Sequence, residues 1–192
     1  TARPVPLGAV VGIFRRGGGD PTSRRDDSGW WFAWRTPGGP VTLRLTALPA
    51  TGEVSATAWG SGAGWMLERV PDLLGERDDP TGFVAHHQPV ADAWRRFPGW
   101  RVPRSGQVVQ ALVASVIEQK VTGKEAFAGY RRLVRRFGEP APGVGEDLGL
   151  LVPPGPRGWA AIPSWEWLAA GVDPGRSRTV VRAVGHAGRL EE

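Results

Sequence analysis

Residues Ser105–Gly138, SGQVVQALVASVIEQKVTGKEAFAGYRRLVRRFG, decide how the rest of the chain is read. They read as two helices joined by a very short turn. In the first, Val108, Val109, Leu112, Val113, Val116, Ile117 and Val121 go most of the way round the helix. A helix apolar nearly all round is a buried one. Its polar residues gather at the end, as Glu118, Gln119 and Lys120. Thr122 to Glu125 then carry a capping-box pattern. The Thr122 hydroxyl can accept from the Glu125 amide while the Glu125 side chain reaches back. The second helix puts Phe127, Tyr130, Leu133, Val134 and Phe137 on one face and Arg131, Arg132, Arg135 and Arg136 on the other. Gly138 is a natural C-cap, and Pro140 stops continuation.

The totals bound what surrounds this pair. At 192 residues the chain fits one large domain or two small ones, with a real core. No apolar run is long enough to span a membrane. The opening TARPVPLGAVVG is too short and Pro-rich for a signal peptide, so a cytoplasmic location is the default. Without cysteine there is no disulfide, thiolate zinc site or cysteine-held cluster. His86, His87 and His186 are too few for a convincing metal site, so neither metal nor cofactor is expected.

The net charge is +5, and 22 of the 24 basic residues are Arg. Arg suits bidentate phosphate contacts better than Lys. A chain rich in Arg, Ala, Gly and Pro is equally what a GC-rich genome encodes. The charge permits nucleic-acid binding without demonstrating it. Most of the ten Trp should be core or interface filler, with one or two able to stack on a base.

Along the chain, residues 7–14 (LGAVVGIF) read as a strand and residues 15–28 as a polar loop. Residues 29–35 (GWWFAWR) are strand-like, and PGGP at 37–40 is a turn. Val41, Leu43 and Leu45 alternate with polar residues, and residues 53–59 alternate again. These four runs predict a small antiparallel sheet of unread order. From Gly60 the period is helical: Trp65, Met66, Leu67, Val70, Leu73 and Leu74 form a helix covering the sheet, with a break expected at Pro71. Residues 83–97 read as one or two short helices, and 138–158 as a long loop or extended crossing. Trp159–Ile162 and Ser164–Ala170 read as short helices, the second capped by Ser164. Pro174 opens the last helix, with Val180, Val181, Val184 and Leu190 facing inward. The expected division is an α+β part, residues 1–78, and a helical part, residues 79–192.

ALVASVIEQKVTGKEAFAGYRRLVRRFGEP resembles the opening helices of the helix–hairpin–helix DNA glycosylases, in the DNA-3-methyladenine glycosylase II branch. RFPGWRVPRSGQVVQ, Ile162–Trp167 and Gly175–Val180 flank it in the same order. The resemblance is firm over residues 65–192 and looser before. It implies an α+β fold: a small antiparallel sheet with a helix, like half of a TATA-binding protein, packed on a mostly helical glycosylase domain. It implies a monomer acting on double-stranded DNA with alkylated bases, and excision of 3-methyladenine-type purines after base flipping. Flipping is required because the glycosidic bond lies inside the duplex. The family's hairpin and catalytic Asp follow the stretch matching Arg176–Leu190. Nothing in residues 1–192 resembles them. The expectation is therefore a truncated glycosylase, incomplete at the C-terminus, with no catalytic residue in this chain and no activity alone.

The resemblance places Gln119 where the first helix meets the lesion pocket and DNA. The bland alternative is an amide that ties the interhelix turn together. Lys120 stands where relatives often carry an apolar wedge. It could reach a phosphate or the facing strand, or simply favour the helix dipole from solvent. Trp165 and Trp167, with Trp159, are candidate pocket aromatics, against ordinary core packing. Arg131, Arg135 and Lys124 are possible phosphate contacts, against a solvated charged face. Glu118 is better read as an ion-pair partner than as a catalytic acid. The competing functions are a non-catalytic DNA-binding or damage-sensing protein and a protein interaction module.

Overall fold

The computed structural model describes residues 5–48 and 51–191. Residues 1–4 of the opening stretch lie outside the described residues. The architecture is α+β: a four-stranded antiparallel sheet, then a helical assembly. The strands are β1 (Ser23–Asp26), β2 (Gly29–Thr36), β3 (Gly39–Leu48) and β4 (Glu53–Trp59), joined as a meander in the order β1-β2-β3-β4.

The first strand is not where the sequence put it. Residues 7–14 form a short helix, α1 (Leu7–Val11), and a 3-10 turn, Gly12–Phe14. Leu7, Val10 and Val11 are buried, at the i, i+3, i+4 spacing of a helix face. β1 comes instead from the polar stretch. It carries Arg24 and Arg25 at the sheet edge, a common way of discouraging edge pairing. Asp26 turns the hairpin, accepting from the Ser28 amide at 3.0 Å and from Trp31 Nε1 at 3.1 Å.

β2 is buried on both faces because both are covered. Trp30, Phe32 and Trp34 join Val41, Leu43 and Leu45 under α1 and α2 (Ala63–Leu73). Pro71 lies within the last turn of α2 rather than breaking it. Trp31 and Ala33 face the other way and meet Ala141, Leu150 and Val152. Those residues belong to the stretch 138–158, expected as a long loop or extended crossing. It forms β5 (Glu139–Pro140), α6 (Val144–Asp147) and β6 (Leu151–Val152), laid across the second sheet face. The Thr42 hydroxyl donates to the Pro142 carbonyl at 2.7 Å, and Arg35 pairs with Glu139 at 2.7 Å.

The helical part contains α3 (Gln88–Arg96), α4 (Val108–Ile117), α5 (Gly123–Phe137), α7 (Pro156–Ala161), α8 (Ser164–Ala169), α9 (Pro174–Val184) and α10 (Ala187–Leu190). Pro163, not Ser164, occupies the N-cap of α8. α4 packs chiefly on α9 and shares a core with α5, α7 and α8 that includes Val113, Ile117, Leu133, Trp159, Trp167 and Val180. α4 is not buried all round: Val108 is 45% exposed, and Ala111 and Ser115 face out. Val181 also turns outward, while Val180 and Val184 are buried. Gly138 ends α5 in an extended conformation. A Cβ there would stand 2.5 Å from the Val134 carbonyl oxygen and 2.8 Å from that of Val152. The glycine is needed for close approach rather than for a left-handed cap. Among the described residues, no helix is long and apolar enough to cross a membrane.

Candidate nucleic-acid interface

The turn between α4 and α5 presents Gln119 and Lys120. Both are exposed, so neither is sealed in the core. The Gln119 amide donates to Val116 O at 3.2 Å and closes the end of α4. Its side chain makes no hydrogen bond among the described residues. The turn is thus tied by the Gln119 backbone, and the side-chain amide is presented to solvent. Lys120 has φ of 56°, the one non-glycine residue with positive φ among the described residues. That conformation disfavours any residue with a Cβ.

The corner is pinned on both sides. After it, the capping box is complete: Thr122 Oγ1 accepts from the Glu125 amide at 3.4 Å, and Glu125 Oε2 accepts from the Thr122 amide at 3.0 Å. The Thr122 hydroxyl and amide hold the Glu125 carboxyl below its ordinary range. Before it, the Ile117 carbonyl accepts from Arg176 Nη1 at 2.6 Å. At the other end of α4, Glu191 Oε1 accepts from the Val109 amide at 2.9 Å. A carboxylate at the N-terminus and a guanidinium at the C-terminus both complement the helix dipole.

The nearby carboxylates are all engaged. Glu118 pairs with Arg16 at 3.2 Å rather than with Lys120. Glu125 is in the capping box. Asp173 caps α9 and accepts from Arg176 Nε at 2.5 Å. The Arg176 side chain, the Arg176 and Gly175 amides and the guanidinium charge hold the Asp173 carboxyl down to about 2.

The arginines of α5 are clamps. Arg131 Nη1 donates to Arg16 O at 2.9 Å, and Arg135 Nη2 donates to Gly19 O at 2.5 Å. Together they hold loop 15–20 of the sheet part. Buried Asp20 shapes that loop, accepting from the Arg16 amide at 2.7 Å and the Thr22 amide at 2.9 Å. Arg132 reaches Ala170 O at 3.4 Å, and Arg136 pairs with Glu166 at 2.7 Å. The expected phosphate-binding arginines therefore already carry intramolecular bonds. Lys124, in the first turn of α5, is exposed beside the corner.

The tryptophans separate. Trp167 is 1% exposed, donates to Ile162 O at 3.2 Å and packs on Trp159, so its place is the core. Trp165 is 66% exposed. Its neighbour Glu166 is tied to Arg136, 13 residues along α5 from Gly123, about 20 Å at the helical rise. The structure does not bring Trp165 to the corner. An apolar hollow of about 310 Å³, lined by Arg35, Gln110, Trp159 and Glu191 among others, lies at the opposite end of α4. His86 and His87 are exposed side by side just before α3.

No protein-family model and no curated protein sequence matches this chain. Among solved structures, it is similar to a 3-methyladenine DNA-glycosylase from Archaeoglobus fulgidus. The two share 13% identity with a TM-score of 0.73, over 94% of this chain and 63% of that one. At that identity the likeness is one of fold. The chain spans 63% of the length of the structure it matches.

Proposed function

We propose that this chain is the sheet part and first helices of a DNA glycosylase. The whole protein removes alkylated purines of the 3-methyladenine type by hydrolysing the N-glycosidic bond of a flipped nucleotide. The observation that carries the reading is the exposed Gln119–Lys120 corner, pinned between α4 and α5 within a glycosylase-like fold. Backbone strain of the Lys120 kind persists where surrounding structure over-determines it, and it clusters at functional sites. In this reading Gln119 faces the lesion or its vacated partner. Lys120 reaches a phosphate or the facing strand rather than plugging the gap left by the extruded base, and Lys124 contacts phosphate. Arg131 and Arg135 add only the donors left over from their carbonyls. Trp165 offers an exposed ring away from the corner, and Trp167 supports the fold from the core.

Residues 1–192 on their own bind DNA without cutting. Support comes from the carboxylates: Glu118, Glu125 and Asp173 are each committed to a cation or a cap. Equilibrium binding to an undamaged duplex and to one with an abasic-site analogue tests the reading. Opening costs less at the abasic site. The expected result is tighter abasic binding, with affinity falling steeply with salt. Salt-insensitive or absent binding would favour a protein interaction module. Release of methylated bases by this chain alone would refute the assignment of cutting to residues elsewhere.

A further inference from the structure

We propose that Arg176 is the positioning residue of the Gln119–Lys120 corner, holding the two side chains at the DNA without touching DNA itself. The inference rests on the glycosylase reading for its consequence, but not for its geometry.

Arg176 is the third residue of α9, where the helix dipole favours an acid over a base. Its guanidinium does not stay there. It is only 11% exposed and turns back to three acceptors, two on the α8–α9 connection and one at the end of α4. Nε donates to Asp173, Nη2 to Gly171 O at 3.0 Å, and Nη1 to Ile117 O at 2.6 Å. The last of these is one of the carbonyls that the end of α4 leaves without an intrahelical partner. Anchoring Ile117 O leaves two residues between the anchor and Lys120, whose backbone is held in the left-handed region. The capping box fixes the far side at Thr122. The corner is therefore a short strained segment between two pins, and Arg176 is the pin from outside the helix pair. A lysine could reach one of these acceptors. Only the planar fork meets all three at once.

A purely structural cap would change stability alone. A positioning residue changes where Gln119 and Lys120 stand. The variants are Arg176→Gln, Arg176→Lys and Asp173→Asn; the last keeps the guanidinium but removes its charged partner. The first readout is amide hydrogen exchange. In Arg176→Gln, protection at Glu118 and Gln119, whose amides close α4 on the Ala114 and Val116 carbonyls, should fall about tenfold, the scale of one charge-assisted hydrogen bond, while Tyr130–Val134 hold. Uniform loss across the chain, or no change at the corner, would overturn the proposal. The second readout is the affinity ratio for abasic over undamaged duplex. It should fall about tenfold in Arg176→Gln and recover in part in Arg176→Lys and Asp173→Asn. In a Lys120→Ala background, where the charge that Arg176 positions is already gone, Arg176→Gln should leave the salt slope unchanged. A further shallowing by about one in that background would mean that Arg176 holds a phosphate directly, which contradicts a positioning role. A ratio of one in the unmodified protein would sink the DNA reading instead, and the exchange data would still decide whether Arg176 holds the corner.

Discussion

Replacing Lys120 by glycine separates what the corner costs from what it does. The φ of 56° at Lys120 puts a Cβ where only glycine sits without penalty. A left-handed residue with a Cβ costs about 1–2 kcal/mol. Glycine gives back about 0.4–1 kcal/mol through the larger entropy of its unfolded chain. The net for Lys120→Gly is a gain of about 0.5–1 kcal/mol. In a chain of this length 1 kcal/mol moves Tm by about 2–4 °C. Lys120→Ala keeps the strain and removes the same charge, so it serves as the paired control. Urea unfolding followed by tryptophan fluorescence should place the glycine midpoint above the wild type, with alanine near the wild type. Duplex binding, by fluorescence anisotropy across salt concentrations, should weaken alike in both variants, with the slope shallower by about one. Glycine and alanine of equal stability, or a glycine variant less stable than wild type, would show that the backbone at 120 is not strained. Binding unaffected in both would show that the Lys120 charge does not meet DNA.

Further outcomes follow from the packing. Gly138→Ala drives a Cβ against two backbone oxygens and should destabilise by about 1–3 kcal/mol in denaturant unfolding. Trp167→Ala empties a core site and should cost about 3–5 kcal/mol, whereas Trp165→Ala on the surface should stay within about 0.5 kcal/mol. Asp173, held at about 2 against an ordinary 3.8, contributes stability that is complete above pH 3.8 and lost as pH falls through about 2. Acid titration of Asp173→Asn should therefore show a flatter decline in that window than the wild type.

The α4–α5 pair was legible because its signals are local. The arginine and apolar faces of α5 repeat at the helical period, and Thr122 and Glu125 sit three residues apart, as a capping box needs. Val41, Leu43 and Leu45 announced β3 by alternation. Residues 7–14 misled because a short apolar run fits either period, and the helical spacing of Leu7, Val10 and Val11 was the truer signal. β1 was hidden because an edge strand of Ser, Arg, Arg and Asp has no apolar alternation. The crossing 139–152 has strands of two residues each, formed because the sheet needs its second face covered.

At the site, Gln119 and Lys120 could be singled out by the family resemblance, at the polar end of an otherwise apolar helix. The clamps could not. Arg131 meets the carbonyl of Arg16, 115 residues away, and Arg176 meets that of Ile117, 59 residues away. A guanidinium bound to a distant backbone oxygen leaves no spacing pattern in the chain. The one available hint was an arginine in the first turn of α9, against the helix dipole.

A backbone amide NMR titration of the 192-residue chain with an abasic-site duplex asks most directly where DNA is held. Shifts should be largest at Gln119, Lys120 and Val121, extend to Lys124, and lose their lesion dependence in Gln119→Ala. Shifts confined to α3 or to the sheet, with the α4–α5 turn unmoved, would contradict the account at its root.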